Sequence, residues 1–266
     1  ERSRGLGDVY KRQKSMNHIT LNDIYVDGVK YSEDNRKIIY LTPGHPLKFD
    51  SNTWIYKKMP TISQWTEDLK EQQEYHLKQG SNHLSFYFPE NEVLSKQWLD
   101  IIRQQGFELG ILELYAIEAN ELRQLPQNNQ VIIQQVTKQN IDDYVYIHNY
   151  FALPFGEQYA KESAKQIKEC FLSDGKNRLI AYLGKKPVGI VDLIITSHTL
   201  EIDGLGVMEQ YRHNAIGSSI QSHVGKLAKT KPVILVADGE DTAKDMYIKQ
   251  GYTYLGFRYQ ILKENI

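Results

Sequence analysis

Apolar and polar positions change period several times along the first half of the chain. Three short alternating runs each predict a strand: residues 24–31 around Asp27-Gly28, 37–41 closed by Pro43-Gly44, and 52–57. From 63 to 79 the period becomes helical, with Trp65, Leu69, Gln72 and His76 near one face and Gln79-Gly80 as a stop. Residues 83–88 alternate as a strand, 94–105 form an amphipathic helix carrying Trp98, Ile101 and Ile102, and 109–118 alternate again. The polar stretch 119–130, ending in LPQNNQ, predicts a linker.

The second half is patterned more regularly. Residues 131–137 read as a strand, 141–150 and 157–172 as helices, and 178–183 with 187–196 as a hairpin about Gly184. A strand from 200, a helix from about 216, a continuous apolar strand at 232–237, a helix at 242–250 and closing strand text at 252–262 follow. Residues 83–118 can be laid beside 232–264. Both run strand, helix, Gln-Gly-aromatic stop, strand, with Gln105-Gly106-Phe107 matching Gln250-Gly251-Tyr252. Four residues before its glycine the second stretch has Tyr247 and the first has Ile102, so the first copy is expected to be chemically silent.

Everything turns on residues 200–217, LEIDGLGVMEQYRHNAIG. Strand text, with Leu200 and Ile202 alternating against Glu201 and Asp203, meets Gly204, Gly206 and Val207. The loop Arg212-His213-Asn214-Ala215-Ile216-Gly217 then opens a helix. Successive backbone N–H groups at a helix N-terminus suit a pyrophosphate, and Arg212 adds a permanent positive charge. The stretch resembles the signature of the GNAT acyl-CoA N-acyltransferases, hydrophobic-x-Val followed by Gln/Arg-x-x-Gly-x-Gly/Ala. The element order of residues 131–264 is similar to that family's full order.

That resemblance implies an α/β fold with a mixed central sheet flanked by helices, here duplicated: a degenerate unit at 16–125 and a complete one at 131–266. It implies acetyl-CoA as co-substrate and transfer of an acetyl group to a primary amine by direct attack. The pantetheine arm would lie along Leu205, Gly206 and Val207, with the Val207 N–H facing the thioester oxygen. Phosphates would meet Arg212, His213, Asn214, Ala215, Ile216, Gly217 and Ser218, and Asp238 completes the cofactor set. Ala215 replaces the signature's first glycine; it keeps the N–H, and at a helix start an ordinary conformation is expected. Tyr247, in Ala243-x-x-x-Tyr247-x-x-x-Gly251, resembles the tyrosine that protonates the departing sulfur. Glu240, or Asp241 in a register shifted by one, stands where the family's helix carries an asparagine.

The general base stays open among Glu201, Asp203 and Asp192. Period-two spacing places Glu201 and Asp203 on one face, and the carboxylates together predict an electronegative pocket for a cationic amine. Phe151, Phe155 and Tyr159 are candidates to line it. A non-catalytic acyl-CoA sensor or an interaction module is the alternative to an enzyme.

Composition narrows this picture. In 266 residues with a formal charge of −1 there is no argument for nucleic acid or a membrane surface. The single cysteine, Cys170, excludes an internal disulfide and fits a reducing cytoplasm. His148, His198 and His223 lack ligand spacing, so no metal is expected. No apolar run approaches the roughly 20 residues that span a bilayer. Residues 1–15 read as an adaptor-like, non-native tail, with Met16 as the start. The acceptor, a small-molecule or peptide amine, and the oligomeric state are left open.

Overall fold

A computed structural model describes residues 16–266, so the adaptor-like tail lies outside the described residues. In chain order the first elements are β1 (Lys30–Glu33), β2 (Lys37–Tyr40), β3 (Thr53–Tyr56), α1 (Ile62–Gln79), β4 (His83–Tyr87), α2 (Lys96–Gln104), β5 (Glu108–Ile117) and α3 (Ala119–Leu122). Then come β6 (Val131–Gln135), α4 (Ile141–Ala152), α5 (Glu157–Cys170), β7 (Asn177–Leu183), β8 (Lys186–Ile195) and β9 (Leu200–Val207). The chain closes with α6 (Ile216–Ala228), β10 (Val233–Asp238), α7 (Ala243–Lys249) and β11 (Thr253–Glu264).

Two compact units result, and neither is a continuous stretch of sequence. The first takes residues 16–114, 236–245 and 254–266; the second takes 115–235 and 246–253. Strands β5, β10 and β11 each carry residues of both, so each unit is built from both halves of the chain.

In the first unit the strand order is β1-β2-β3-β4-β11-β5. β3 and β4 run parallel across the α1 crossover, Trp54 opposite Phe86, while β11 is antiparallel to β4, Gln260 opposite Tyr87. Trp54, Trp65, Phe86, Phe88, Trp98 and Phe107 are buried in one core. Helix α1 starts on a capping box, Thr61 with Gln64, and stops at Gly80 in the left-handed region. The expected strand at 24–31 does not form; only Lys30–Glu33 is strand. A side chain interrupts the ladder there, because the Val29 N–H donates to Thr42 Oγ1.

In the second unit β6, β7, β8 and β9 form an antiparallel series, with β10 beside β9 in parallel after the α6 crossover. Its helices lie on opposite faces of the sheet. A Cβ on Gly189 would touch Ile220 of α6, whereas one on Gly206, the partner of Ile190, would touch Phe151 of α4. Residues 119–130 are not a free linker. Arg123 Nη1 donates to the carbonyls of Gly225 and Lys229 at the end of α6, and Ser222 Oγ donates to Arg123 O. The approach is close enough that a Cβ on Gly225 would meet Ala119 O at 2.9 Å. The segment is polar because it trades hydrogen bonds with α6.

The two Gln-Gly-aromatic stops share one hydrogen-bond pattern. Gln105, Gly106 and Phe107 N–H groups donate to Ile101, Arg103 and Ile102 carbonyls; Gln250, Gly251 and Tyr252 donate to Met246, Ile248 and Tyr247. Gly106 and Gly251 have φ of +79° and +102°, conformations that glycine enters without steric cost.

Candidate acyl-CoA site

Strand β9 is the structural centre of the site. β10 pairs with it at Val233↔Leu200 and Ile234↔Glu201, after which β9 continues from Ile202 to Val207 without a further β10 partner. On its other side β9 keeps its ladder with β8 up to Gly189↔Val207. The Met208 N–H donates to Val188 O, on the β8 side. Successive strand N–H groups point to opposite edges, so that of Val207 points to the edge β10 has left. The Val207 carbonyl is on the same edge and accepts from Arg212 Nε at 3.1 Å, which anchors the exposed guanidinium beside it. Leu205 and Gly206 are half-buried along the same run, and Gly206 is held to glycine by the Phe151 ring, 2.5 Å from where its Cβ would stand.

The loop before α6, expected to hold phosphates, has a backbone the sequence reading did not foresee. Ala215, the N-cap of α6, sits at φ +56°, ψ 27°, in the left-handed region rather than an ordinary helical conformation. His213 is there too, at φ +65°. Both are exceptions to the steric rule for L-residues. No side chain caps α6, so its first-turn N–H groups, the ones lacking intrahelical acceptors, are not taken by a cap. The contrast is with α1, whose Thr61 side chain accepts the Gln64 N–H.

Residues 126–128 strap this loop from behind. Asn128 Nδ2 donates to Asn214 O and the Asn128 N–H to Ser219 Oγ, which itself donates to Ala215 O. Ser218 Oγ donates to Pro126 O, so its hydroxyl proton is committed and only its backbone N–H faces a ligand role. Ile216 is buried beneath the loop, and Gly217 has open space down to Val207 Cγ2 at 3.7 Å. Asn128 carried no sequence signal beyond a polar run.

Tyr247, on α7, is half-buried with its ring 5.3 Å from that of Tyr252 and 6.5 Å from Tyr115. Tyr252 donates to Gln221 Oε1 at 2.7 Å, and Gln221 Nε2 reaches both Gly217 O and Gln250 Oε1. This buried chain ties the first turn of α6 to the helix stop behind Tyr247. Gln221 and Tyr252 were missed as supporting residues; the one available signal was a polar side chain at i+4 from Gly217. Asp238 belongs to the first unit, where its carboxylate accepts the Glu240 N–H and closes a turn.

The carboxylates part company. Pairing steps from Val191↔Leu205 to Leu193↔Ile202, so Asp203 and Gly204 together oppose Asp192 in a β-bulge, with Gly204 at φ +93°. Strict alternation would put Glu201 and Leu205 on one face, yet they stand opposite Ile194 and Val191, which face opposite ways. Glu201 and Asp203 stand opposite Ile194 and Asp192, two residues apart on β8, so the reversal of faces falls between Asp203 and Leu205. Glu201 is buried within the sheet, and Asp203 pairs with Lys176 Nζ at 3.3 Å. Asp192 accepts from the Tyr144 hydroxyl at 2.5 Å and lies 3.8 Å from Arg178 Nε, while Arg178 is held by Asp174. Burial, helped by the like charge of Asp203, pushes the Asp192 carboxyl up to about 6 against the pull of Arg178 and the Tyr144 hydroxyl. On α4, Phe151 meets Gly206; in the turn after that helix, Phe155 is exposed with its ring 5.9 Å from that of Tyr159.

Among the described residues no group of three or more His, Cys, Asp or Glu side chains is placed to hold a metal ion. None of their helices is long and apolar enough to cross a membrane.

These features define the class. The molecule has the GNAT fold of the acyltransferases, and residues 144–252 match the family model described as the acetyltransferase (GNAT) family. The chain belongs to the same family as a functionally unknown conserved protein from Staphylococcus epidermidis ATCC 12228, to which it is 54% identical over 94% of this chain and 100% of that one, with a TM-score of 0.91. Residues 19–115 match a domain of unknown function, DUF5613. More distant structures share the fold. A GCN5-related N-acetyltransferase from Kribbella flavida is 14% identical over 89% of each chain, with a TM-score of 0.62. A tandem GNAT protein from the clavulanic acid biosynthesis pathway is 9% identical over 80% of this chain and 75% of its own, with a TM-score of 0.54. No curated protein matches.

Proposed function

We propose that this chain transfers the acetyl group of acetyl-CoA to a primary amine, by direct attack of the amine on the thioester, at β9 and α6 of the second unit. The observation that carries this reading is the β9 edge beyond Glu201, unpaired by β10 and ending beside an uncapped helix N-terminus. An amide-bearing arm would ladder along Leu205, Gly206 and Val207, and a pyrophosphate would meet the N–H groups of residues 215–218 next to Arg212. Acetyl-CoA, when bound, supplies the activated acyl carbon and a thiolate leaving group. The rest is the work of this chain's own residues. The Val207 N–H donates to the acyl oxygen as it gains charge, Tyr247 gives its hydroxyl proton to the departing sulfur, and a carboxylate takes the amine's proton. Asp192 fits that last task best, since a base is most effective when its pKa lies near the working pH.

The first half is, in this reading, a silent second copy, with the boundary between copies at residues 125–131. The matching helix stops and the shared crossover of parallel strands support it. Its own helix N-terminus is closed by Thr61 and Gln64, and stacked rings of Tyr56, Phe86 and Phe88 fill its sheet face. Turnover of acetyl-CoA against a panel of amines, with Tyr247→Phe beside the parent, tests the function. An enzyme loses turnover by tenfold or more in the variant while still binding cofactor. A parent that binds acetyl-CoA without turning over any amine is an acyl-CoA sensor instead.

A further inference from the structure

Arg258 of β11, in the first unit, is 7% exposed, and among the described residues no carboxylate, carbonyl or hydroxyl accepts a hydrogen bond from it. Its Nε is sealed from solvent and without a partner. The guanidinium carbon lies over the buried Tyr87 ring, 4.4 Å from its centroid. Glu90 is near enough to interact electrostatically, but both its oxygens lie at 3.2–3.3 Å from the Leu21 N–H. Burying a guanidinium without acceptors costs several kcal/mol, and interiors almost always supply them. Tyr87 offers only its ring face, which leaves the edge nitrogens of the fork aimed at whatever the protein does not provide.

We propose that Arg258 is the anchor of an anion site in the first unit that takes the carboxylate of a small molecule. A planar fork pairs with a carboxylate through two parallel N–H bonds. A planar carboxylate fits the planar fork as a spherical ion does not, and Glu90, which acts on Arg258, disfavours a dianion more than a monoanion. Nothing in the acyl-transfer reading uses this residue. The site stands whether or not the second unit binds acetyl-CoA.

The test is a titration of the full chain with sodium acetate, with sodium phosphate and sodium chloride at matched ionic strength, following the Arg258 Nε–Hε NMR resonance and the melting temperature. Acetate is expected to shift the resonance saturably and to raise the melting temperature, with chloride and phosphate doing neither. Arg258→Met should fold at least as stably as the parent without acetate, because it removes an unpaired buried charge, and should lose the acetate response. Arg258→Lys, which keeps the charge but not the fork, should weaken it at least tenfold. An acetate response equal in all three proteins, a response to chloride as large as that to acetate, or no response in the parent would overturn the proposal and leave Arg258 a hydrated arginine only.

Discussion

Replacing Ala215 by glycine reports the backbone of the loop before α6 through the sign of its effect. At φ +56°, ψ 27° the alanine Cβ crowds the chain, at a cost of about 1–2 kcal/mol. Glycine removes that strain but widens the unfolded ensemble, which costs about 0.5–1 kcal/mol relative to alanine. The difference leaves Ala215→Gly more stable by roughly 0.5–1 kcal/mol. With an ordinary helical conformation only the second effect would act, and the same substitution would destabilise by about 0.5–1 kcal/mol. Gly217 is the control: its φ is not positive and a Cβ there meets nothing closer than 3.7 Å. Gly217→Ala should therefore also stabilise, by roughly 0.5–1 kcal/mol from helix propensity. Two opposite substitutions, two positions apart, both raise the urea midpoint at unchanged slope. A lowered midpoint in Ala215→Gly would refute the left-handed N-cap.

Two further outcomes follow from packing and charge. A chain starting at Val131 removes α3 and Arg123 from α6 and leaves β11 without β4, so it should be insoluble or molten by near-UV circular dichroism and gel filtration; a cooperative, soluble fragment would contradict the two-part construction of each unit. His76 and His83 are fully buried and neutral, with burial depressing His76 to about 4 and His83 in the same direction. The unfolded chain then binds more protons below about pH 6.5, so stability is lost as pH falls from there toward 4, by about 3 kcal/mol for His76 over the full span. The raised Asp192 carboxyl acts with opposite sign below pH 6, so the urea midpoint of Asp192→Asn should fall more steeply from pH 6.5 to 5 than the parent's; a flat midpoint in the variant would contradict the buried histidines.

Element type was legible wherever a single face is buried. Trp65, Gln72 and His76 marked α1 because all three are buried on one face, Gln72 bonding both backbone groups of Ser85 and His76 Nδ1 reaching His83 O. The Gln-Gly-aromatic stops were legible because glycine at a left-handed position is a local requirement. What escaped the sequence is set by distant contacts. The left-handed N-cap at Ala215 is held by the Asn128 and Ser219 bonds around it, and alanine gives no hint of positive φ. The bulge at Asp203 and Gly204 appears only once β9 has a partner to be counted against. The polar run 119–130 looked like a linker because its hydrogen bonds to α6 join residues about a hundred positions apart. A strand signal, likewise, does not say which neighbour it will find, so the joining of β11 to β4 could not be read from either one.

Calorimetric titration of acetyl-CoA into the full chain, with Arg212→Glu alongside, tests the central claim most directly. One saturable site in the parent and an affinity at least tenfold lower in the variant are predicted, because the guanidinium fixed on the Val207 carbonyl stands beside the uncapped N-terminus of α6. No binding by the folded parent, or equal binding by both proteins, would contradict the assignment of β9 and α6 as an acyl-CoA site.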